Sequence, residues 1–203
     1  MTAQKTDTLL CDIFACSSLK QVLGKTGWVL RFVSNARQKQ SDRTIGPLTP
    51  EEDQQALQFW LKEAQVRAYE VEFKALKSNV SLPKNSSLLK LRPRLDENGI
   101  LCAVPRTNEV PLPILPEFAY ITTLIIDEAH RKCFHQGAST TLAFLSAEYF
   151  VRRRRVLRVI NTCRRCRRYR GQNYRSADGG LPSFRIEPSR PFAKIGIDFF
   201  GPL

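Results

Sequence analysis

The chain has 203 residues, 42% of them hydrophobic and 25% charged, with a formal net charge of +13. That balance is globular rather than disordered, and the length holds one or two small domains. No apolar run is long enough for a membrane span, and the N-terminal MTAQKTDTLLCDIFACSS lacks a basic start followed by a long apolar core, so neither a membrane partner nor secretion is expected. Cys11, Cys16, Cys102 and Cys133 form no framework pattern, which points to free thiols in a reducing setting, nuclear or cytoplasmic.

Residues 1–80 read as a helical region. Leu19, Val22, Leu23, Val29, Leu30, Phe32, Val33 and Ala36 give residues 17–40 an apolar helical face, with Gly24 and Gly27 weakening its first half. Thr49-Pro50-Glu51-Glu52 supplies an N-cap hydroxyl, a proline at the first helical position and a capping-box glutamate. Leu57, Leu61, Ala64, Ala68, Val71 and Ala75 then recur in steps of four and three, which predicts one amphipathic helix reaching about Lys77 as a packing or dimerisation element. Residues 81–117 read as a β-hairpin and a connector. Leu88–Leu91 and Ile100–Val104 bracket Asp96-Glu97-Asn98-Gly99, and Asn-Gly tolerates positive φ at both positions. The proline-rich PLPILPEF of 111–118 follows as the connector.

Residues 118–172 read as three helices: about 121–132, a second capped by Ser139-Thr140-Thr141 and reaching Tyr149, and a third over 153–161. Leu124, Ile125, Leu142, Leu145, Val156, Val159 and Ile160 are the expected core between them. The chain's two histidines, His130 and His135, lie at the end of the first helix, and Cys163-Arg-Arg-Cys166 lies after the third. Two close pairs of imidazoles and thiolates separated by a folded segment can close a tetrahedral Zn²⁺ cage, one ion per chain. With all four positions filled by protein the ion would be structural, a staple for a unit with little core of its own. Cys133, between the histidines, is the rival ligand, and otherwise a small core residue.

The positive charge is local. Between 131 and 175 lie Arg131, Lys132, Arg152, Arg153, Arg154, Arg155, Arg158, Arg164, Arg165, Arg167, Arg168, Arg170 and Arg175, against the single acid Glu148. Such a cluster implies a polyanionic partner, most simply DNA or RNA phosphate, and DNA bound with little sequence preference is the expected partner. Arg152 to Arg155 open a helix, where the dipole disfavours cations and a counter-anion is useful. Arg167, Arg168 and Arg170, with Tyr169 and Tyr174, read as a flexible basic strip carrying aromatic stacking groups. No small-molecule substrate is expected, and self-association is kept as a further mode of partnership. Residues 173–203 read as a linker and then a strand, Ala193–Phe200, with Ile195, Ile197 and Phe199 on one face and Asp198 on the other.

With these motifs in view, the chain resembles the integrase region of BEL/Pao-type retrotransposon polyproteins. WVLRFVSNAR, LTPEEDQQALQFWLKEAQ and SSLLKLRPRLDENGIL are similar to the segments preceding that integrase. HRKCFHQGASTTLAFLSAEYFVRRRRVLRVINTCRRCRRYRGQ resembles its zinc-binding domain, with His130, His135, Cys163 and Cys166 on the four ligand positions. LPSFRIEPSRPFAKIGIDFFGPL resembles the start of its ribonuclease-H-like catalytic core. The resemblance covers about residues 17–203. It implies a mainly α fold: a helical N-terminal region with a short hairpin, a three-helix, helix-turn-helix-like His₂Cys₂ zinc domain, and the first strand of a truncated α/β core. It also implies a role in DNA integration. Asp198 falls on the first of three catalytic carboxylates, and the other two do not appear before the sequence stops. The expectation is therefore a zinc-dependent DNA-binding fragment without catalysis, Mg²⁺ being required only where the full core is present. The rival expectation is a host-retained or degenerate remnant serving as a zinc-stabilised protein-interaction module.

Overall fold

The structure is a computed structural model describing residues 13–78, 80–104, 110–170, 186–193, 195 and 197. It is mainly helical, with a three-stranded antiparallel sheet, its strands adjacent in chain order, among the described residues. Residues up to Tyr169 belong to one unit and Arg170–Leu203 to a second.

The first unit opens on α1 (Leu19–Ala36), whose N-cap Ser18 accepts from the Gln21 N–H. The glycines do not interrupt it. Gly27 lets Leu48 approach so closely that an added Cβ would sit 3.1 Å from its methyl. The helix ends short of residue 40, where the Asn35 side chain ties the following loop to the last turn. Its amide donates to the Thr44 carbonyl and accepts from the Thr44 N–H, both at 3.0 Å, folding the loop back. The expected capping box is present at α2 (Pro50–Ala68). Glu52 has a second partner there: the buried guanidinium of Arg31, which also donates to the carbonyls of Gly46 and Pro47. Trp60 completes the α1–α2 seam with a buried 2.8 Å bond from its indole N–H to Thr26.

The predicted single helix to Lys77 is two helices. At Tyr69 the backbone leaves the helical region (φ −134°, ψ 41°), and α3 (Glu70–Lys77) follows. The apolar period continues through this joint, so the sequence pattern does not mark it. The break is inexpensive, because the Tyr69 N–H still reaches Gln65 and its carbonyl still serves Phe73. Its effect is to lay Phe73 on a second, smaller core with Leu88, Leu101, Ala103 and Ile114.

The hairpin exists, but with different strands. Leu89–Leu91 is a 3₁₀ turn, β1 is Arg94–Leu95 and β2 is Leu101–Ala103. Only Gly99 takes positive φ (73°), while Asp96 closes the turn by accepting the Gly99 N–H on its carbonyl and the Ile100 N–H on its carboxylate. Part of the proline-rich connector is β3 (Leu112–Pro113), paired with Cys102 and Ala103. A proline is tolerated because it lies on an edge strand. Gln65 of α2 joins helix to sheet: its buried amide donates to the carbonyls of Leu101 and Ile114 and accepts the Leu101 N–H, at 2.7–2.9 Å.

The C-terminal half of this unit is α4 (Tyr120–Lys132), α5 (Ala138–Leu145), α6 (Arg153–Thr162) and the short α7 (Arg164–Arg170). Leu124, Ile125, Leu145, Val156, Val159 and Ile160 are buried as expected, with Leu142 partly so. The same core continues into Ile13, Val22, Trp60 and Leu61, so α1 and α2 share it. In the second unit, Ala193, Ile195 and Ile197 of the expected final strand are in no strand, and Ile195 and Ile197 are exposed. Asp198, Phe199 and the linker residues 171–182 lie outside the described residues.

The Arg31 hydrogen bond, with the Thr49 N–H, holds the Glu52 carboxyl at about 2, below its usual range. A carboxylate depressed in the folded state stabilises above its unfolded pKa and loses that contribution as pH falls through the folded one. The urea midpoint of the wild type is therefore expected to fall as pH drops from about 4.5 towards 2. Glu52→Gln, which keeps the capping geometry, should have a lower midpoint at neutral pH and a flatter acid limb. Equal acid slopes in the two proteins would show that the pair does not contribute.

Candidate metal centre

The spacing of the two histidines has a local cause. Helix α4 ends at Cys133, and the chain then takes two successive left-handed residues, Phe134 (φ 51°) and His135 (φ 62°). The His135 N–H bonds back to the His130 carbonyl at 3.0 Å and the Phe134 N–H to the Arg131 carbonyl at 2.9 Å. This is a Schellman motif, which brings the residue two past the cap against the last turn of the helix. Here those two residues are His135 and His130, with ring centroids 4.5 Å apart and planes at 82°. The usual occupant of the first left-handed position is glycine. A non-glycine residue there costs about 1 kcal/mol or more, and Phe134 holds it with its ring 85% exposed.

The cysteines come from the α6–α7 joint. Cys163 ends α6 and precedes α7, and its carbonyl accepts the Arg167 N–H at 2.9 Å. Cys166, on the first turn of α7, is that helix's buried residue. The joint faces the Schellman turn. His130 Nε2 lies 3.1 Å from Cys166 Sγ, and His135 Nδ1 lies 3.5 Å from Cys163 Sγ and 3.7 Å from Cys166 Sγ. All four ligand atoms fall within 4.8 Å of one another, an arrangement that could hold a metal ion. The thiol of Cys133, though buried, is not part of this group.

A further residue orients the imidazole. Thr141 Oγ1 donates to the Gly137 carbonyl at 2.8 Å and sits 3.2 Å from His130 Nδ1. With its own proton committed, the hydroxyl accepts from Nδ1–H, which leaves the Nε2 lone pair for an ion. Sequence reasoning placed Thr141 among the capping residues of the second helix. In the structure the N-cap is Gly137, with φ 97°, and Ser139, Thr140 and Thr141 lie inside α5, which ends at Leu145. Ser139, Thr140 and Thr141 form one polar run, so the sequence does not single Thr141 out, and of the three it alone is buried.

Comparison of the chain with family models, curated proteins and solved structures gave no match to any of them.

The structure divides the arginines into two groups. Glu117 faces the start of α6 and makes ion pairs with Arg152 (3.6 Å), Arg154 (2.9 Å) and Arg158 (3.7 Å). It is the counter-anion that this helix start calls for, and it comes from the connector. Arg155 is half-buried, donates to Thr123 and has its Nε enclosed without a partner. Burial, then Arg158, pull its pKa down. It also lines a cleft of about 580 Å³ with Arg152, Leu88, Ile114 and Ile121. The other group is Arg164, Arg165, Arg167, Arg168 and Arg170, all exposed on α7 and, with Arg153, without an ion pair among the described residues. The expected flexible strip is therefore helical as far as Arg170. A helix of seven residues is marginal by itself, and this one carries five arginines, so the cysteine joint has to hold it.

Chelation of a bound ion should accordingly remove α7 first, seen as lost amide-exchange protection at Arg167–Tyr169 while Trp60 and its surroundings stay protected. Cys163→Ser with Cys166→Ser should abolish stoichiometric metal retention. Thr141→Val should keep the fold and weaken metal affinity about 10- to 100-fold in a chelator competition, the usual effect of losing an outer-shell partner. Unchanged affinity in Thr141→Val would mean that His130 is oriented by packing alone.

Proposed function

We propose that this chain is a zinc-stapled nucleic-acid-binding module, and that it acts in DNA integration within a retroelement-derived integrase of the BEL/Pao type. The observation that carries the proposal is that the helix bearing Cys166 is also the helix bearing the unpaired arginines. Two imidazoles and two thiolates are a donor set suited to Zn²⁺. Bond lengths of about 2.0 Å to nitrogen and 2.3 Å to sulfur in a tetrahedron correspond to N···S edges near 3.5 Å, and the separations here are 3.1, 3.5 and 3.7 Å. With four protein ligands the ion has no open position for water, so its role is structural. It fixes α7 on the end of α4 and holds arginine side chains where phosphates can meet them.

The partner is DNA, read through its backbone. The α7 arginines follow one another around a short helix, and their number favours phosphate contact over a base code. No helix among the described residues is long and apolar enough to cross a membrane. A second reading, a protein-interaction module, has one observation in its favour: Trp28, Phe32 and Val33 are exposed along α1.

If the five α7 arginines each neutralise a phosphate, binding to arbitrary duplexes should fall with salt at a log–log slope of about −4.5. Changing Arg164, Arg165, Arg167 and Arg168 to Ser should leave zinc content unchanged and flatten the slope to about −0.9. Glu117→Gln should act in the opposite direction, freeing Arg152, Arg154 and Arg158 and steepening the slope by up to about 2.7. Absence of binding at low salt, with concentration-dependent association lost in Trp28→Ser, would favour the protein-interaction reading.

A further inference from the structure

Two aromatic rings flank the metal cage without serving the core. Phe134 is 85% exposed and immediately precedes the ligand His135, and Tyr169 is 79% exposed and lies three residues beyond the ligand Cys166. Neither has a ring or cation partner among the described residues, whereas exposed Phe118 is covered by the Arg158 guanidinium at 5.6 Å. The backbone at Phe134 makes its ring harder to dismiss. The position is left-handed, glycine would satisfy it with less strain, and the chain holds a large apolar ring there. Both rings stand on elements that the four ligands tie together: the Schellman turn on one side and α7 on the other, with His135 Nδ1 only 3.7 Å from Cys166 Sγ. Next to them in the sequence are Lys132 at the end of α4 and the arginines of α7, while Arg131 is ion-paired with Asp127 and Glu128.

We infer that Phe134 and Tyr169 form a base-stacking platform, so that the module prefers nucleic acid with unpaired bases over a closed duplex. Exposed rings set among cations are the combination that holds single strands: arginines track the phosphates and each ring takes the face of a base. In a duplex the base faces are already stacked on one another, and the rings have nothing to receive. Charge alone points the other way, since phosphate density is higher on the duplex. A single-strand preference must therefore come from the bases.

This inference rests on the nucleic-acid reading above, and the test separates the two. Fluorescence anisotropy of the zinc-loaded chain at fixed salt would compare a mixed-sequence single strand, its duplex, and an abasic strand of the same length. The wild type should bind the single strand more tightly than the duplex and the abasic strand. Phe134→Gly relaxes the backbone rather than straining it, so its effect cannot be assigned to misfolding. It and Tyr169→Ser should each lose about 5- to 150-fold on the single strand, the span of one base–aromatic stack, with duplex affinity nearly unchanged. Tyr169→Phe should bind as the wild type does. Equal affinity for single strand and duplex, or variants that leave single-strand binding intact, would overturn the platform while leaving phosphate binding in place. Variants that bind all three probes normally but shift sedimentation towards smaller species would assign the rings to contact between copies and overturn it as well. No binding to any probe by the wild type would remove the nucleic-acid reading itself.

Discussion

Helix α4 has two obligations, and the rest of the larger unit is arranged to meet both. Its apolar side chains Ile121, Leu124, Ile125, Ile126 and Ala129 are all buried, and the helix contacts α1, α2, α5 and α6. A helix buried on so many sides has to be surrounded. Its last turn carries His130, also buried, which must reach thiolates on a different element. The Schellman turn, the Gly137 cap and the α6–α7 joint can each be understood as ways of bringing ligands to that one helix end. The extension of the core to Trp60 and Leu61 means that a bound ion would not be asked to fold the unit from nothing. What would depend on it most directly is α7.

The charge follows a division of labour that net charge conceals. Arginines at the start of α6 face an acid supplied from the connector, and one of their number, Arg155, is drawn into the wall of a cleft. Arginines on α7 are exposed and make no ion pair among the described residues. Surface ion pairs contribute little to stability, so Glu117 matters less as glue than as a local neutraliser. It leaves the positive field concentrated beside the cage.

The candidate metal site was legible because the residue types that could ligate are scarce: two histidines in the whole chain, one close cysteine pair, and a gap that fits two helices. The helices were legible where caps and period agreed, as at Thr49-Pro50 and over 153–161. Legibility failed where tertiary contacts decided the backbone. Nothing local separates α2 from α3, since Tyr69 keeps both its helical hydrogen bonds and the turn matters only because Phe73 then meets the sheet. The hairpin's first strand was misplaced because Leu88 and Leu91 look like strand residues but are anchors of a 3₁₀ turn. α7 was unreadable for a different reason: its arginines give it no intrinsic helical pattern. Thr141 was recognised as a capping type but assigned to the wrong task.

The amide of Gln65 has a bearing on how the protein ages. It satisfies three backbone groups at once, two as donor and one as acceptor, and it is fully buried. Hydrolysis of that amide would produce a carboxylate of nearly the same shape. It would keep the bond from the Leu101 N–H and turn both carbonyl contacts into oxygen–oxygen repulsion. Yet the water such damage needs is excluded while the fold persists. The side chain whose chemical decay would do most to part helix from sheet is thus preserved by the packing it maintains, and the vulnerable moment for the molecule is the interval before that packing closes.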